Sequence, residues 1–512
     1  FLLMESLAAR LDQLAPQIRS VDQLSQTDLR KLLEVIGDWS AAHGLLVVDP
    51  KTNVDVEGMT WKGAAITLSP TCIPRDCFNF GVEIAPLFSL LFHRISQHPT
   101  FLEESLETVI NFDEFTRKLL EIYQICKKEG FEQPISLGIY RSDYMIDMAL
   151  KDNEVISSLK QVEVNAISAA FSHLGHLATL LHQYLVSSCP HLYKGLCCQD
   201  IPDNDCHLLV PSALSKAHNV FIEQRKDKLE DNHRIVVFLV AQPGERNRID
   251  QRHIEFELFE RYNISLVRTS LIDIYNNARL SENKNLILNH NGEDIIGSVA
   301  YFRSCYTPDD YPTEKEWSAR LMIERSSAIK APSISYHLCG TKKVQQVLGD
   351  ESVLSIFFPD EPEIPKKLMK SFAGMYDLNR EGKFKDIHKE AIKNPENFVM
   401  KPQREGGGSL VTGDDIKTAI ETWDDHKLRS HILMERIKPF PMPNFLIFGG
   451  KLSEKVNCIP ELGIFHSYMA DSDNVYLDET KGYLVRTKPS DVNDGGVAAG
   501  RAALDSVCLC DI

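Results

Sequence analysis

The run Lys401-Pro402-Gln403-Arg404-Glu405-Gly406-Gly407-Gly408 carries the residue types that a polyphosphate demands. It follows the apolar stretch Phe398-Val399-Met400 and leads into Ser409-Leu410-Val411. Consecutive glycines permit positive φ and leave no side chain between backbone amides and phosphate oxygens. Lys401 can offset phosphate charge, and Glu405 offers a hard oxygen to a cation bridging the phosphates. Three glycines alone would suit a surface turn. The flanking charges behind a strand favour nucleotide binding. The run is not a P-loop, because Gly408 is followed by Ser409-Leu410 rather than Lys-Ser/Thr. Gly449-Gly450-Lys451-Leu452-Ser453 lacks the leading glycine and reads as a turn between two strands.

Other stretches offer complementary chemistry. Gln161-Val162-Glu163-Val164-Asn165 alternates strictly, so a strand here presents Gln161, Glu163 and Asn165 on one face. Two loops that follow apolar strands, Gln242 to Asn247 and Arg303-Ser304-Cys305-Tyr306, each hold an arginine suited to a carboxylate. Near the C-terminus come Glu461, then Arg486-Thr487-Lys488, then Asp494 to Gly500, a stretch without bulky side chains that can close over a ligand. His173 and His176 stand three apart and could face one ion on a helix. No third ligand is recognisable in the sequence, so they read as a structural or solvated pair.

These residues need a large scaffold. The chain has 512 residues, 43% hydrophobic and 25% charged, which suits a globular protein of two or three subdomains. Its net charge of -16 opposes nucleic acid and anionic membranes, so any phosphate site must be a local basic pocket. The most apolar stretch, Ala166 to Val186, is interrupted by Ser168, His173, His176, His182 and Gln183 and reads as a buried or amphipathic helix rather than a span. The twelve cysteines lack paired C-x-x-C spacing, and the Cys189, Cys197, Cys198, Cys206 group leaves disulfides and free thiols both open. Helical spacing covers the N-terminal stretch (Leu7, Leu11, Leu14, Ile18) and residues 101–129. Residues 135–140 form a strand. Between Arg234 and Tyr336, apolar strands at 234–240, 264–267 and 297–302 alternate with helices at 250–261 and 313–330, the pattern of a small parallel sheet. Ligands of such sheets bind beyond the carboxyl ends of the strands.

Taken together, Arg141-Ser-Asp-Tyr144, Glu163-Val-Asn165 with Ile167-Ser168, Glu245-Arg-Asn247 with Asp250-Gln251, Gly340-Thr-Lys-Lys343, Lys401 to Gly408, Glu461-Leu-Gly-Ile-Phe465, Arg486-Thr-Lys488 and Asp494 to Gly500 resemble the eukaryotic type of glutathione synthetase, an ATP-grasp ligase. The likeness runs from about residue 100 to residue 505. It implies an α/β (α+β) fold of ATP-grasp architecture with a glycine-rich lid. Residues 1–233 and 337–512 would form the catalytic region, with lids at about 360–430 and 490–501, and residues 234–336 an inserted parallel α/β substrate-binding subdomain. The implied reaction joins γ-glutamylcysteine to glycine with ATP and Mg²⁺, through an acyl phosphate, in a homodimer.

Carried over motif by motif, Glu163, Asn165 and Glu405 would hold Mg²⁺. Lys342, Lys401 and Lys488 would contact the ATP phosphates, and Gln403, Gly406, Gly407, Gly408 and Asp494 would also belong to the nucleotide site. Met434, Glu435, Arg436 and Ile437 would line the adenine pocket, and Glu461 would take the ribose. Arg141, Ile167, Ser168, Ala169, Ala170, Glu245, Arg246, Asn247, Gln251, Arg303, Ser304, Cys305 and Tyr306 would hold the dipeptide. Arg486, with the amides of Val497 and Ala498, would grip the glycine carboxylate, making Arg486 and Lys401 the catalytic pair. The chain departs from the pattern at Ala170 (a serine in the family), at Ser172-His173, at Ser304-Cys305 and at Ser409, Leu410 and Thr412. These edits suggest an alternative, a diverged relative with weak or altered acceptor specificity. The resemblance implies a cytoplasmic protein; the absent initiator methionine and the clustered cysteines keep a secreted interaction protein open.

Overall fold

The computed structural model describes residues 21–22, 24–49, 60–152, 154–230, 233–403, 410–493, 496–497 and 500–511. Fifteen of the described strands join one mixed sheet. Its centre is three long antiparallel strands, Ser136–Lys151, Val456–Ala470 and Val475–Pro489, with Glu154–Asn165 paired on the outer side of the first. Their cross-strand partners include Gly463 against Asp143 and Glu461 against Arg486, so charged positions from distant parts of the chain fall on one patch of the sheet.

The segment from residue 234 extends this same sheet. Arg234–Val240 pairs in parallel with Leu266–Thr269 and with Glu293–Phe302, and Ile329–Ala331 bridges Glu293–Phe302 to Ser136 in parallel. The apolar strands are buried, as their continuous Val/Ile/Leu runs require. The sequence reading missed the antiparallel edge here: Leu286–His290 and Ala278–Leu280 form a meander against Glu293–Phe302. The helix expected over 313–330 ends at Glu324, and its tail becomes the Ile329–Ala331 strand.

A second, four-stranded antiparallel sheet stands apart: Met375–Asp377, His431–Glu435, Phe398–Pro402 and Val411–Thr412. It has its own small core around Leu378, Phe398, Met400, Ile416 and Leu433. The expected turn at Gly449-Gly450 joins Leu446–Phe448 to Lys451–Leu452, with φ of 55° and 78° that suit glycine. The helix expected over 101–129 is two, Pro99–Ile110 and Glu114–Glu129. Asp113 caps the second by accepting from the Thr116 amide at 2.8 Å. Helix Ser172–Ser188 covers the stretch read as a buried helix except residues 166–171, which form a loop. The twelve cysteines are all unbridged. No helix among the described residues is long and apolar enough to cross a membrane.

Helix Cys206–Arg225 packs on the sheet and places His218 against Ser298, with Nδ1 2.8 Å from the hydroxyl. Burial pushes this imidazole down to about 4. An unfolded histidine titrates near 6.5, so between these values the unfolded chain takes up a proton that the fold refuses. The contribution is complete above pH 6.5 and shrinks by up to about 1.4 kcal/mol per pH unit as pH falls toward 4. His218→Gln should therefore flatten the acid limb of a plot of denaturation midpoint against pH. An unchanged slope between pH 6.5 and 4 would contradict this account.

Candidate nucleotide site

The two central strands of the small sheet and the centre of the large one enclose a cavity of about 260 Å³. Glu163, Asn165, Lys342, Lys401, Met434, Glu435, Arg436, Ile437, Glu461, Arg486 and Lys488 all line it. Five cations (Lys342, Lys401, Arg436, Arg486, Lys488) face three carboxylates (Glu163, Glu435, Glu461). In a chain of net charge -16, this is a local excess of positive charge. Met145, Val162, Val399, Pro439 and Ile459 add apolar walls that the sequence reading did not name.

Each lysine is positioned by a specific contact. Lys342 opens the short helix Lys342–Val347 and pairs with Glu163 at 2.8 Å. Gly340, just upstream, lies so close to Ala166 that an added Cβ would sit 2.8 Å from the alanine methyl, so glycine lets this helix reach the cavity. Lys401 extends from Phe398–Pro402 and donates to the Val162 carbonyl at 3.0 Å. That carbonyl is available because the register between Ser136–Lys151 and Glu154–Asn165 slips between Asp143 and Tyr144, where Glu163 and Gln161 are the successive partners, leaving Val162 unmatched. The bulge also breaks the expected alternation: Val162, Glu163 and Asn165 line the cavity, while Gln161 is buried without lining it. Lys488 donates to the Asn493 carbonyl at 2.6 Å. The Asn493 side chain reaches Thr412 at 3.1 Å and Arg436 at 3.3 Å, so Thr412, a departure from the family pattern, helps tie the small sheet to the Lys488 strand.

Asp143 is the hub that sequence reasoning missed. It is buried and accepts from Arg141 Nε and Nη2 at 2.7 and 2.8 Å, from Asn165 Nδ2 at 2.8 Å and from Arg486 Nη2 at 2.8 Å. The same Arg486 nitrogen also contacts Glu461. Arg141 and Asp143 sit two apart on a strand and so share a face, a signal that was legible. Gly463 makes room for them: a Cβ there would lie 2.7 Å from Asp143 Oδ1 and 2.8 Å from Arg141 Cδ. Burial raises Glu163, but the facing ammonium groups of Lys342 and Lys401 outweigh it and hold the carboxyl well below the usual range. Glu461 moves the opposite way, pushed up by burial and by Asp143 despite Arg486. Glu163 is thus the ionised donor suited to a hard cation. The Asn165 amide nitrogen is spent on Asp143 and the Arg141 carbonyl, which turns its oxygen into the side able to meet a cation. These two side chains fit Mg²⁺. Glu405, the third expected ligand, lies outside the described residues, as do Gly406, Gly407, Gly408, Asp494 and Ala498.

Of the residues expected to hold the dipeptide, Ile167 and Tyr306 lie beside Lys342. Ile167, Tyr306, Gln403 and Lys342 line a second, much smaller cavity of about 20 Å³. The loop Ser168 to Phe171 is held from both sides: Arg303 donates to the Ser168 and Ala169 carbonyls at 3.1 and 2.5 Å, and Arg141 to the Ala170 carbonyl at 3.1 Å. Asp250 accepts from the Phe171 and His173 amides at 2.9 Å each and lies 3.6 Å from Arg303. Ser168 and Phe171 take positive φ in this turn. Glu245 accepts from the Asn247 amide at 2.7 Å and from Gln251 at 3.2 Å, leaving buried oxygens on Asn247 and Gln251 without a hydrogen-bond partner. Arg303 is therefore buried and bound to backbone, whereas Arg246 is exposed. Ser304 donates to Val240 at 3.3 Å, and the Cys305 thiol is fully buried. Val497 is buried and does not line the larger cavity; its neighbour Gly496 does.

Comparison with known proteins identifies the family. A family model described as "Eukaryotic glutathione synthase, ATP binding domain" matches residues 26–509. The chain is 37% identical to the chloroplastic glutathione synthetase of Arabidopsis thaliana, covering 96% of this chain and 87% of that one. It is 35% identical to the glutathione synthetases of Dictyostelium discoideum (92% and 97% covered) and Homo sapiens (93% and 96% covered). Its fold is shared with a glutathione synthetase-like effector from Globodera pallida solved in apo form, at a TM-score of 0.72 and 19% identity, covering 95% of this chain and 98% of that one. Fold, cavity and relatives define an ATP-dependent ligase. The chain belongs to the eukaryotic glutathione synthase family.

Proposed function

We propose that this protein joins γ-glutamylcysteine to glycine at the expense of ATP, giving glutathione, ADP and phosphate. The observation that carries the reading is the meeting of Lys342, Lys401 and Lys488 with Glu163 and Asn165 in one apolar-walled cavity. ATP enters with its base between Met434, Ile437 and the Met145, Val399 and Ile459 side chains. The Glu435 and Arg436 amides are already spent on the Gly374 and Asn397 carbonyls, which fixes this wall in place. The triphosphate then meets the three lysines. Glu163 and Asn165, with Glu405, would hold Mg²⁺, which would supply charge neutralisation at the phosphates.

The dipeptide's glycyl-accepting carboxylate attacks the γ-phosphorus, ADP leaves, and the glycine amine displaces phosphate from the acyl phosphate. The protein's share is positioning and charge neutralisation. Arg486, oriented by Asp143 and Glu461, stands where a glycine carboxylate can be gripped. In this reading residues 234–336 receive the dipeptide, the segments near 360–430 and 490–501 close over the site, and the protein works as a cytoplasmic homodimer.

The test is phosphate release with ATP, Mg²⁺ and γ-glutamylcysteine, scanned across amino-acid acceptors. Turnover with glycine alone is expected. Turnover only with another amine would reassign the acceptor, and nucleotide binding without turnover would overturn the ligase reading for this chain. The pocket edits give a sharper check. Ala170→Ser restores a hydroxyl beside Arg141 and Ser168. One added hydrogen bond of about 0.5–1.5 kcal/mol lowers KM for the dipeptide roughly two- to tenfold, with kcat moving less. Steady-state kinetics at saturating ATP would read this out, and an unchanged KM would remove Ala170 from the dipeptide pocket.

A further inference from the structure

The two histidines that the sequence left as a bare pair acquire partners in the fold. Helices Ser172–Ser188, Cys206–Arg225 and Arg248–Tyr262 converge and bring four imidazoles together. His176 stacks on His207 with ring centroids 3.7 Å apart, His173 stacks on His253 at 3.7 Å, and His207 lies 5.6 Å from His253. Asp205 joins them: ligand atoms of His176, Asp205 and His207 all lie within 4.8 Å of one another. None of the four histidines lines the ATP cavity, and the cluster connects to the Ser168 to Phe171 loop through Asp250, which accepts from both the Phe171 and the His173 amides.

Three features of this cluster make poor sense for packing alone. His173 Nδ1, His207 Nδ1 and His253 Nε2 are buried without hydrogen-bond partners, each a cost with no structural return. Stacking four polar rings gains little that Leu or Phe would not supply. The His176 tautomer is also fixed. Its Nδ1 lies 2.7 Å from the Asn204 carbonyl, which can only accept, so the proton sits on Nδ1 and Nε2 carries the lone pair. Metal-bound histidines show the same arrangement, one ring nitrogen donating to a fixed acceptor while the other faces the ion.

We propose that His176, His207 and Asp205, with His253 beside them, form a site for a divalent transition cation of the imidazole-preferring class, typified by Zn²⁺. Two nitrogens and a carboxylate oxygen suit that ion and not Mg²⁺. Arg261 and Lys481 bear on His207, and Glu257 lies 3.9 Å from His253, so the cation enters a field of mixed sign. Exposed Asp205 provides the entry side. The stacked rings must rotate to bring their nitrogens from the observed spacing to about 3–3.5 Å around a tetrahedral ion. Bound, the ion cross-links the start of helix Cys206–Arg225 to helix Ser172–Ser188, which carries the dipeptide loop at its N-terminus.

The experiment uses the full chain, stripped with chelator and held in saturating Mg²⁺ to occupy the hard-cation site. Zn²⁺ is titrated by calorimetry and Co²⁺ by absorbance. The wild type is expected to bind one ion, with visible d–d bands and no near-ultraviolet thiolate band. His207→Gln should weaken binding at least a hundredfold. Asp205→Asn, which changes an exposed side chain making no cap hydrogen bond, should weaken it about tenfold and leave the metal-free melting temperature unchanged. Equal affinity in wild type and both variants, a thiolate band, or no saturable binding would each overturn the site.

Discussion

Asp143→Ala should lower the unfolding free energy by about 3–5 kcal/mol, the range for stripping one partner from a buried ion network. Four donors converge on this carboxylate from three strands: Arg141 twice, Asn165 and Arg486. Its side chain is 1% exposed, and that of Arg141 is 5% exposed. Deleting the carboxylate leaves two guanidinium groups facing each other, with Glu461 as the one remaining carboxylate on Arg486 among the described contacts. Water can reach this interior poorly, so the repulsion is weakly screened. Asp143→Asn keeps the volume and loses only the charge, and should fall between the wild type and the alanine variant. Guanidinium denaturation reads both, as a shift in midpoint at constant slope. A loss below about 1 kcal/mol for the alanine variant would show that Glu461 alone can hold both arginines.

Lys401→Met should cut ligase turnover by about 10²–10³-fold, the scale of removing one charge-stabilising donor from a preorganised site. Lys401 is 9% exposed and its ammonium is anchored on the Val162 carbonyl, so it is aimed before any ligand arrives. Methionine preserves the aliphatic stem and therefore the packing against the small sheet. Nucleotide affinity should fall less than turnover, because the lysine counts most where charge shifts during transfer. Paired measurements of kcat and of nucleotide dissociation separate the two effects. Equal losses in both would make Lys401 a binding residue only.

The sequence made the candidate nucleotide site largely readable. Lys342, Lys401, Lys488, Glu163 and Asn165 sit in short motifs whose spacing survives translation into strands and helix starts, and the fold gathers them in one cavity. What escaped depends on register or on distance. The slip opposite Tyr144 turns on one unmatched residue, and no alternation pattern announces it. The split of the 101–129 helix hinges on a capping aspartate inside a stretch that otherwise reads as continuous. The Leu286–His290 meander strand hid in an Asn-rich stretch that offered no apolar periodicity long enough to register. The histidine cluster draws on three helices spread across some eighty residues of chain, from His173 to His253, so no local window could show it.

The main-chain link between Lys330 and Ser136 has a consequence for how this protein can diversify. The 234–336 stretch is stitched into the central sheet by backbone hydrogen bonds, not tethered to it by a linker. Recombination cannot trade it as a cassette, since a donor piece with a different strand phase would leave a seam of unpaired amides. Change can then accumulate as point replacements at loop tips such as those around Ala170 and Cys305, with the framework inherited whole.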